Sequence, residues 1–424
     1  MIKFIFKGVL RDKNRSLLPV IVVSIGVFLT ILLSGWMKGI FSDMIDINAN
    51  QTAGHVKIMT RSYAENQSQL PNDLALIGVD TLLLHLRKEY PEMDWVKRIE
   101  FGALLDVPDK KGETRAQGPA FGKAIDLISP QSAEVKRLNI RSSIVKGRIP
   151  NHGGEALISN EFAKQFNVNV GDKITLFGST MTGGMMIQSF RVSGTLNFGS
   201  SVLDRGAVII DIKDAQQALD MKDAASEILG YFKDGVYNDK AAKAVKKAFN
   251  TKYSSTNNPY SPEMFTLRDQ DSLGQYLDMA DHMSSIMVLI LILAMSIVLW
   301  NAGLLGGLRR YGEFGIRLAL GEGKGHIYQT LLYEAILIGL IGTVLGTILG
   351  LGASFYLQEY GLDFSSMMKN ITMILPHVYR AKVTPELFYI GFFPGLLATT
   401  FGNAIAGIAI FRRQTARLFK ELET

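Results

Sequence analysis

The sequence predicts a membrane protein with four transmembrane α-helices and a large two-lobed α+β periplasmic domain inserted between the first and second of them. One observation is that the 424 residues contain four long apolar runs, one near the N-terminus and three near the C-terminus. The other is that a mostly polar stretch, residues 42–284, separates the first run from the second. Roughly 20 mostly apolar residues are needed to cross about 30 Å of hydrocarbon, and each run meets that length.

The four spans divide the chain into alternating membrane and aqueous segments. In order, these are a cytoplasmic amphipathic helix (1–17), the first span (18–41), the external domain with helical stalk ends (42–284), the second span (285–308), a cytoplasmic loop (309–328), the third span (329–357), an external loop (358–386), the fourth span (387–411) and a cytoplasmic tail (412–424). The residues before the second span have helical composition, which predicts a helix that continues out of the bilayer as a stalk.

Lysine and arginine near the spans predict the orientation, because cytoplasmic flanks retain positive charge. Five of these residues and one aspartate precede the first span, and four follow the last span against two glutamates. The external domain is almost neutral, with 28 Lys plus Arg against 30 Asp plus Glu. Both termini are therefore expected in the cytoplasm of a bacterium, with the large domain in the periplasm. The net charge of +6 comes from the membrane edges and does not indicate nucleic-acid binding.

The external domain has the texture of an α+β fold. Short β-branched or aromatic runs bounded by Gly, Asp or Pro predict strands at residues 56–58, 101–107, 174–177, 190–196 and 207–210. A helix is predicted where Val79, Leu82, Leu83 and Leu86 repeat at helical spacing. Asn238 is expected to cap a second helix that turns Ala241, Ala242, Val245 and Phe249 inward. The region exceeds the usual length of one domain, so two packed lobes are predicted.

The loop between the second and third spans is the most specific stretch. Phe314 and Leu318, together with Ile316, predict a short amphipathic helix, which Gly321 and Gly323 end before the chain turns back into the third span. Such a surface helix could dock a soluble partner. In the third span, Gly342, Gly346 and Gly350 repeat at four-residue spacing, which allows helix backbones to pack closely.

This loop resembles the signature of FtsX-like permeases, the membrane subunits of type VII ABC transporters. The motif is Glu313-x-Gly315-x-x-x-Ala319-x-Gly321, followed by Glu334-Ala335 and a Gly-rich span. The resemblance implies a coupling helix in a groove of a separate ATPase. The residues it assigns to ATPase coupling are Glu313, Gly315, Arg317, Ala319 and Gly321. It also implies a dimer of ATPase subunits, and a second copy of this permease or a paralogue.

The external domain is similar to the periplasmic core shared by macrolide-exporter (MacB-type) and lipoprotein-releasing (Lol-type) permeases, and it matches the Lol type best. The matching stretches are residues 154–176, 190–196 and 207–221. In Lol-type permeases a hairpin between two of these strands recruits the periplasmic lipoprotein carrier. The residues assigned here to that role are Met181, Met185 and Met186, with Arg191 alongside. The alternative interpretation is a flexible turn with mobile Met side chains.

The sequence gives no support to an enzyme. Residues 321–325 lack the spacing and the hydroxyl of a P-loop, so ATP and Mg²⁺ are expected on the partner ATPase, with no cofactor in this chain. The six histidines show no paired metal-ligand spacing, so no metal site is expected. Gly-x-Ser-x-Gly is absent, which removes the signature of a serine hydrolase.

The resemblance predicts a permease subunit that extracts lipoproteins from the outer leaflet of the inner membrane and passes them to a periplasmic carrier. Lateral entry of the lipoprotein is expected at soft apolar side chains on the stalk ends, namely Met37, Met44, Met279, Met283 and Met287. Two alternatives remain open. One is a MacB-type permease that exports peptides or drugs with an adaptor and an outer-membrane channel. The other is a signal-transmitting permease that activates a cell-wall hydrolase.

Overall fold

The computed structural model describes residues 13–109, 111–198, 204–255, 258–270, 273–308, 311–363 and 378–412. These residues fall into two compact units. The helical unit is drawn from Met1–Asp43, Asp278–Ser366 and His377–Thr424, and the inserted unit from Met44–Leu277 and Met367–Pro376. Most of the predicted amphipathic helix at 1–17 and of the tail at 412–424 lies outside the described residues, as does the middle of the loop at 358–386.

The described helices include three of more than 35 residues and several of one or two turns. They are α1 (Lys13–Asn48), α2 (Arg61–Glu65), α3 (Val79–Glu89), α4 (Glu134–Arg137), α5 (Ile140–Ser143), α6 (Asn160–Gln165), α7 (Ile212–Ala218), α8 (Asp239–Tyr253), α9 (Leu273–Leu308), α10 (Tyr311–Ala319), α11 (Lys324–Tyr360), α12 (Leu387–Ile390) and α13 (Ala398–Arg412). Short 3-10 turns lie at Gln67–Gln69, Asn72–Leu74 and Leu267–Asp269, and π-helical turns lie at Ala49–Ala53 and Phe393–Leu397.

The described strands lie mainly in the inserted unit. They are β1 (Val56–Thr60), β2 (Leu76–Ile77), β3 (Met93–Pro108), β4 (Thr114–Ile125), β5 (Ile144–Gly147), β6 (Glu155–Ser159), β7 (Lys173–Ser179), β8 (Met185–Leu196), β9 (Ala207–Asp211), β10 (Ala224–Ala225), β11 (Glu227–Phe232), β12 (Pro262–Thr266), β13 (Leu362–Asp363) and β14 (Val378–Tyr379). All five predicted strand regions are confirmed, although β3 and β8 extend well beyond the predicted runs.

In the helical unit, α1 and α11 pack with very little separation. A Cβ added at Gly342 would lie 2.6 Å from Cβ of Val23, and one at Gly350 would lie 3.0 Å from Cβ of Ile31. Gly346, between them, lies equally close to α1. Side chains larger than hydrogen at these positions would push the helices apart, so the predicted close packing at the glycine repeat is confirmed.

Three helical stretches of the described chain are long and apolar enough to cross a membrane, judged by length and composition: Leu17–Ala53, Lys324–Tyr360 and Leu387–Ile405. They correspond to the first, third and fourth predicted spans. The second predicted span corresponds to a shorter apolar stretch, Ser285–Val298, inside α9. Because α9 begins at Leu273, the helix expected to lead into this span is continuous with it.

The inserted unit is built on a sheet of ten strands in the order β12-β1-β11-β3-β4-β9-β6-β8-β5, with β7 paired to both β3 and β8. Only the β4–β9 and β6–β8 pairs are parallel. The division of this unit into two lobes stays a prediction, although its buried apolar residues do form two separate clusters. The sixteen-residue strand β3 pairs with β11 near its start and with β4 and β7 near its end, so one sheet joins both halves.

The two predicted scaffold helices are confirmed. Val79, Leu83 and Leu86 of α3 are buried in the main hydrophobic core, and Leu82 packs against it. The side-chain oxygen of Asn238 accepts a hydrogen bond from the amide of Ala241 at 3.2 Å. This cap starts α8, whose inward face consists of Ala242, Val245 and Phe249. Ala241 itself is half-buried.

Candidate functional site

The loop between α9 and α11 contains the predicted short helix, α10. It ends at Ala319, and Gly321 has φ +90°, a left-handed conformation that favours glycine. α11 begins two residues beyond Glu322, so the predicted stop and reversal are confirmed. Leu318 packs against Ile327 and Leu331 of α11, which fixes α10 to the helix that follows it.

The structure places the five predicted coupling residues on and just after α10. Glu313 and Ala319 are exposed, Arg317 is half-buried, and Gly315 is buried. Among the described residues, a Cβ at Gly315 would nevertheless meet nothing within 4 Å, so contacts with them do not explain the glycine. Their role in coupling stays a prediction.

Two exposed apolar residues of this loop were not among the predicted coupling residues, although Ile316 was predicted to belong to the apolar face of the helix. Ile316 on α10 is 58% exposed, and Leu320, the residue directly after α10, is 81% exposed. The amide of Leu320 donates to the carbonyl of Ile316 at 3.0 Å, so the two keep the helical i, i+4 spacing. Exposed large apolar side chains at this spacing form a small patch of the kind that a protein partner covers. The i, i+4 spacing was the signal that could have found them.

The predicted hairpin exists as the antiparallel pair β7–β8, closed by residues 180–184. Thr180 donates its amide to the carbonyl of Gly184 at 2.8 Å, and Met181 donates its amide to the carbonyl of Leu219 at 2.8 Å. Backbone hydrogen bonds therefore connect the turn to the rest of the unit, and the alternative of a turn with mobile Met side chains stays open.

The predicted patch of three exposed methionines is also wrong. Met185 is 76% exposed, but Met186 is only 2% exposed and belongs to the main core, and Met181 is partly buried against that core. The reason is that Met185 and Met186 lie in strand β8, where successive side chains point to opposite faces. Arg191 lies six residues further along β8, about 20 Å away, and donates to the carbonyl of Gly171.

What the hairpin does expose is a row of apolar side chains across three strands, which we call the hairpin stripe. Leu104 of β3 pairs with Phe177 of β7, which pairs with Ile187 of β8, so all three share one face of the sheet. Met185 lies two residues before Ile187 on the same face. Leu104, Met185 and Ile187 are exposed and Phe177 is half-buried.

The methionines predicted to receive substrate lie on two long helices. Met279, Met283 and Met287 are exposed at four-residue intervals along α9. Met44 is exposed and Met37 is half-buried on α1. The three on α9 form one apolar line on that helix, because residues four apart lie above one another.

A third region, which sequence reasoning missed entirely, lies where α1 passes into the inserted unit. We call it the neck: the π-helical turn Ala49–Ala53 and the strand face that receives it. The last four carbonyl groups of a helix have no partner within the helix. Here side chains supply the donors: Arg98 donates to the carbonyls of Asn50 (2.9 Å) and Gln51 (3.0 Å), and Lys123 also donates to that of Gln51 (2.7 Å).

Buried carboxylates hold the cations of the neck. Arg98 Nε lies 2.7 Å from Glu134 Oε2, and both side chains are fully buried. Arg137 contacts the other oxygen of Glu134 at 2.6 Å, and Lys123 Nζ lies 3.0 Å from Glu100 Oε1. Burial opposes ionisation of Glu134, but Arg98 and Arg137 more than offset it and hold its pKa below the ordinary value.

The chain leaves the inserted unit beside the point where it enters. Gln270 donates its side-chain amide to the carbonyl of Ala53 at 2.9 Å, and the amide of Leu267 donates to the carbonyl of His55 at 3.1 Å. Ala49, Ala53 and Leu267 are buried together, with Leu273 at the start of α9 packed against them. Both connections therefore meet in one cluster at the neck.

Known families match most of the chain. A family model described as FtsX-like permease C-terminal matches residues 285–415, and a model described as MacB-like periplasmic core domain matches residues 16–248. The first covers the loop helix and three of the predicted spans. The second covers most of the inserted unit, including the hairpin and most of the neck.

Two curated relatives are similar to part of the chain. The chain is 24% identical over 273 residues to the macrolide export ATP-binding/permease protein MacB of Chromobacterium violaceum, covering 57% of this chain and 41% of that protein. It is 25% identical over 235 residues to the lipoprotein-releasing system transmembrane protein LolC of Xylella fastidiosa, covering 54% of each. The chain thus spans about half the length of the curated relatives it matches. The crystal structure of the periplasmic region of MacB from Actinobacillus actinomycetemcomitans aligns with a TM-score of 0.36 at 10% identity, over 54% of this chain and 93% of that one.

Proposed function

The chain belongs to the FtsX-like permeases of ABC transporters that carry a MacB-like periplasmic core domain, and on this premise we propose that it is a lipoprotein-releasing subunit. ATP hydrolysis takes place on a separate ATPase dimer. This chain, paired with a second copy or a paralogue, transmits the resulting movement to its periplasmic domain. Both termini lie in the cytoplasm, four spans cross the inner membrane, and a lipoprotein leaves the outer leaflet for a periplasmic carrier.

The observation that carries the proposal is the loop helix α10. It is short and is held to α11 through Leu318, and it exposes Ile316, with Leu320 exposed directly after it. A helix presented in this way is suited to the groove of a soluble partner, which is helix-in-groove recognition. Because α10 is attached to α11, a displacement of α10 by the ATPase also moves the third span.

Extraction of a lipoprotein explains why an ATPase is needed. Burying an acyl chain is worth about 0.8 kcal/mol per CH₂, so on the order of tens of kcal/mol oppose the release of three chains. The methionine line of α9 offers soft, adaptable apolar surface where such chains can enter.

Transfer to the carrier is assigned to the hairpin stripe. Met185 and Ile187 are exposed at the end of a hairpin whose turn is fixed by backbone hydrogen bonds. A preorganised apolar surface binds a partner at a lower entropic cost than a mobile loop. This assignment replaces the three-methionine patch predicted from the sequence.

Export of peptides or drugs is the second candidate, because the relative named for macrolide export is about as similar as the one named for lipoprotein release. Depletion of the chain in cells separates the two. Lipoproteins should accumulate in the inner membrane if the chain releases them. If they reach the outer membrane normally while cells become sensitive to macrolides, the exporter is correct.

Docking of the loop helix is tested with Ile316→Ser combined with Leu320→Ser. Both side chains are exposed, so the variant should fold and insert normally, and the ATPase should no longer co-purify from native membranes. Leu340→Ser, at an exposed position in the middle of α11, is the matched control. Full recovery of the ATPase with the double variant would refute the docking role.

A further inference from the structure

We propose that Arg98, Lys123 and Glu134 form a clasp that locks the end of α1 to the sheet, so that movement of α1 is passed to the inserted unit and not absorbed by bending at residues 49–54. The proposal deepens the proposed function, since it names the residues through which the permease transmits movement. They are positioning residues and touch no substrate.

The clasp satisfies the end of the helix almost completely. Besides the bonds from Arg98 and Lys123, the hydroxyl of Tyr231 donates to the carbonyl of Ala49 at 3.3 Å, and Gln270 donates to that of Ala53. The donors come from β3, β4, β11 and the turn before α9. One helix end is thus tied to three adjacent strands at once, which a single cap does not do.

The side chains that bond the end of α1 carry the charge that a helix C-terminus favours. Carbonyl groups at a helix C-terminus carry partial negative charge, which cations stabilise. Arg98 and Lys123 supply two cations, and each is held by a buried carboxylate on its other side. Arg137 extends the network: it contacts Asp94 at 2.5 Å, and its guanidinium stacks 3.8 Å from the ring centre of Tyr231. Each cation is therefore held in position by groups other than the helix end.

Stability alone does not account for this arrangement. A buried ion pair is often no more stabilising than apolar side chains of the same volume, because both charges lose their hydration. What the guanidinium adds is geometry, since its planar fork bonds two successive carbonyls and a carboxylate in fixed directions. A π-helical turn lies at this point of the chain. Such turns are rare in proteins overall, and many of them lie at functional sites.

The residue after the turn is a glycine because the chain changes direction there. Gly54 has φ +64°, and a Cβ there would lie 2.6 Å from the carbonyl oxygen of Val56. The chain turns sharply here and enters β1, which pairs with β11 and β12. With the clasp intact, the helix end, the sharp turn and the first strand form one rigid connection.

The test uses the full chain in nanodiscs with its co-purifying ATPase, followed by amide hydrogen exchange. Arg98→Met combined with Glu134→Leu removes the pair without leaving an unpaired charge between them. Lys97→Met is the matched control. Lys97 directly precedes Arg98 on β3, pairs with Asp80 on the other face of the sheet, and does not contact the helix end. If the double variant fails to insert, Arg98→Lys replaces it.

In the absence of nucleotide, exchange at residues 45–54 should be about tenfold faster in the clasp variant, while β9 and the control variant are unchanged. With ATP and vanadate, the wild type should show changed exchange at α10, β1 and β12. The clasp variant should keep the change at α10 and lose it at β1 and β12.

Two results would overturn the clasp. One is unchanged exchange at residues 45–54 in the variant. The other is a full nucleotide response at β1 and β12 without the clasp. Failure of the proposed function has a different signature: no ATPase co-purifies, or α10 does not respond in the wild type. Exchange at residues 45–54 then still decides whether these side chains hold the helix end.

Discussion

Strand β3 presents two contrasting regions on one face of the sheet. Near its start, Arg98 and Glu100 are buried charges at the neck, whereas near its end Leu104 is an exposed apolar residue of the hairpin stripe. The usual order, apolar inside and polar outside, is reversed along a single strand. The comparison teaches that burial here follows the partners that a side chain finds. Helix carbonyls and opposite charges surround Arg98 and Glu100, whereas Leu104 is 40% exposed in the described chain.

The largest loss of stability is expected when the buried ion pair of the neck is broken. Glu134→Leu alone leaves Arg98, which is fully buried, without its carboxylate, and should cost about 3–5 kcal/mol of unfolding free energy. Unfolding can be followed through the fluorescence of buried Trp95 in a Trp36→Phe, Trp300→Phe background. Asp80→Leu, which removes the exposed partner of Lys97, is the control and should cost about 1 kcal/mol or less. If the two variants lost the same unfolding free energy, the buried ion pair of the neck would contribute no more to stability than the exposed pair.

The next largest effect is the difference in stability between a core variant and a surface variant of strand β8. Met186→Ala should cost about 2–5 kcal/mol, because its side chain fills the main core. Met185→Ala, at the neighbouring position but on the exposed face, should change stability by about 0.5 kcal/mol or less. Thermal unfolding of the two variants makes the comparison. Similar midpoints would contradict the alternation of β8.

The stability of the region beside the neck is expected to depend on pH, because it contains the buried side chain of His55. His55 is buried, and its Nδ1 accepts a hydrogen bond from the amide of Phe232 at 2.9 Å, so the ring is neutral in the folded chain. Burial lowers the pKa of His55 to about 4 from 6.5. The folded pKa lies below the unfolded one, so the stabilisation is complete above pH 6.5 and is lost as the pH falls towards 4. The loss between pH 7.5 and 5 should be about 2 kcal/mol.

Replacement of this histidine isolates its contribution. His55→Asn keeps an acceptor for the amide of Phe232 but cannot titrate, so the difference in stability between pH 7.5 and 5 should shrink by that amount. Denaturant unfolding at both pH values measures it. An identical pH dependence in the two proteins would show that carboxylates, not His55, set the acid sensitivity.

The smallest effect on stability is expected at the hairpin stripe. Ile187→Ser combined with Leu104→Ser should change the unfolding free energy by about 1 kcal/mol or less, because both side chains are exposed. Capture of the periplasmic carrier by the full chain should nevertheless fall. A loss of stability comparable to that of Met186→Ala would place the stripe in the core and remove it as a partner surface.

Local patterns predicted much of this fold. The apolar runs gave the first, third and fourth spans, the cap at Asn238 gave α8, and the glycines after Ala319 gave the end of α10. Each depends on residues within a few turns of one another. The hairpin methionines were misread because β8 begins at Met185, and only its pairing with β7 shows where the strand starts.

The sequence by itself therefore determined which segments are apolar enough to span a membrane, which are helices or strands, and which loop carries the family signature. The cluster of charged residues at the neck could be recognised only in the tertiary structure. Gln51, Arg98, Lys123 and Glu134 lie in four different segments spread over more than 80 residues, and each looks like an ordinary surface residue in its own segment. Strand register brings them together, since Glu100 pairs with Lys123 across β3 and β4. No local pattern encodes that register, because it depends on how distant strands meet.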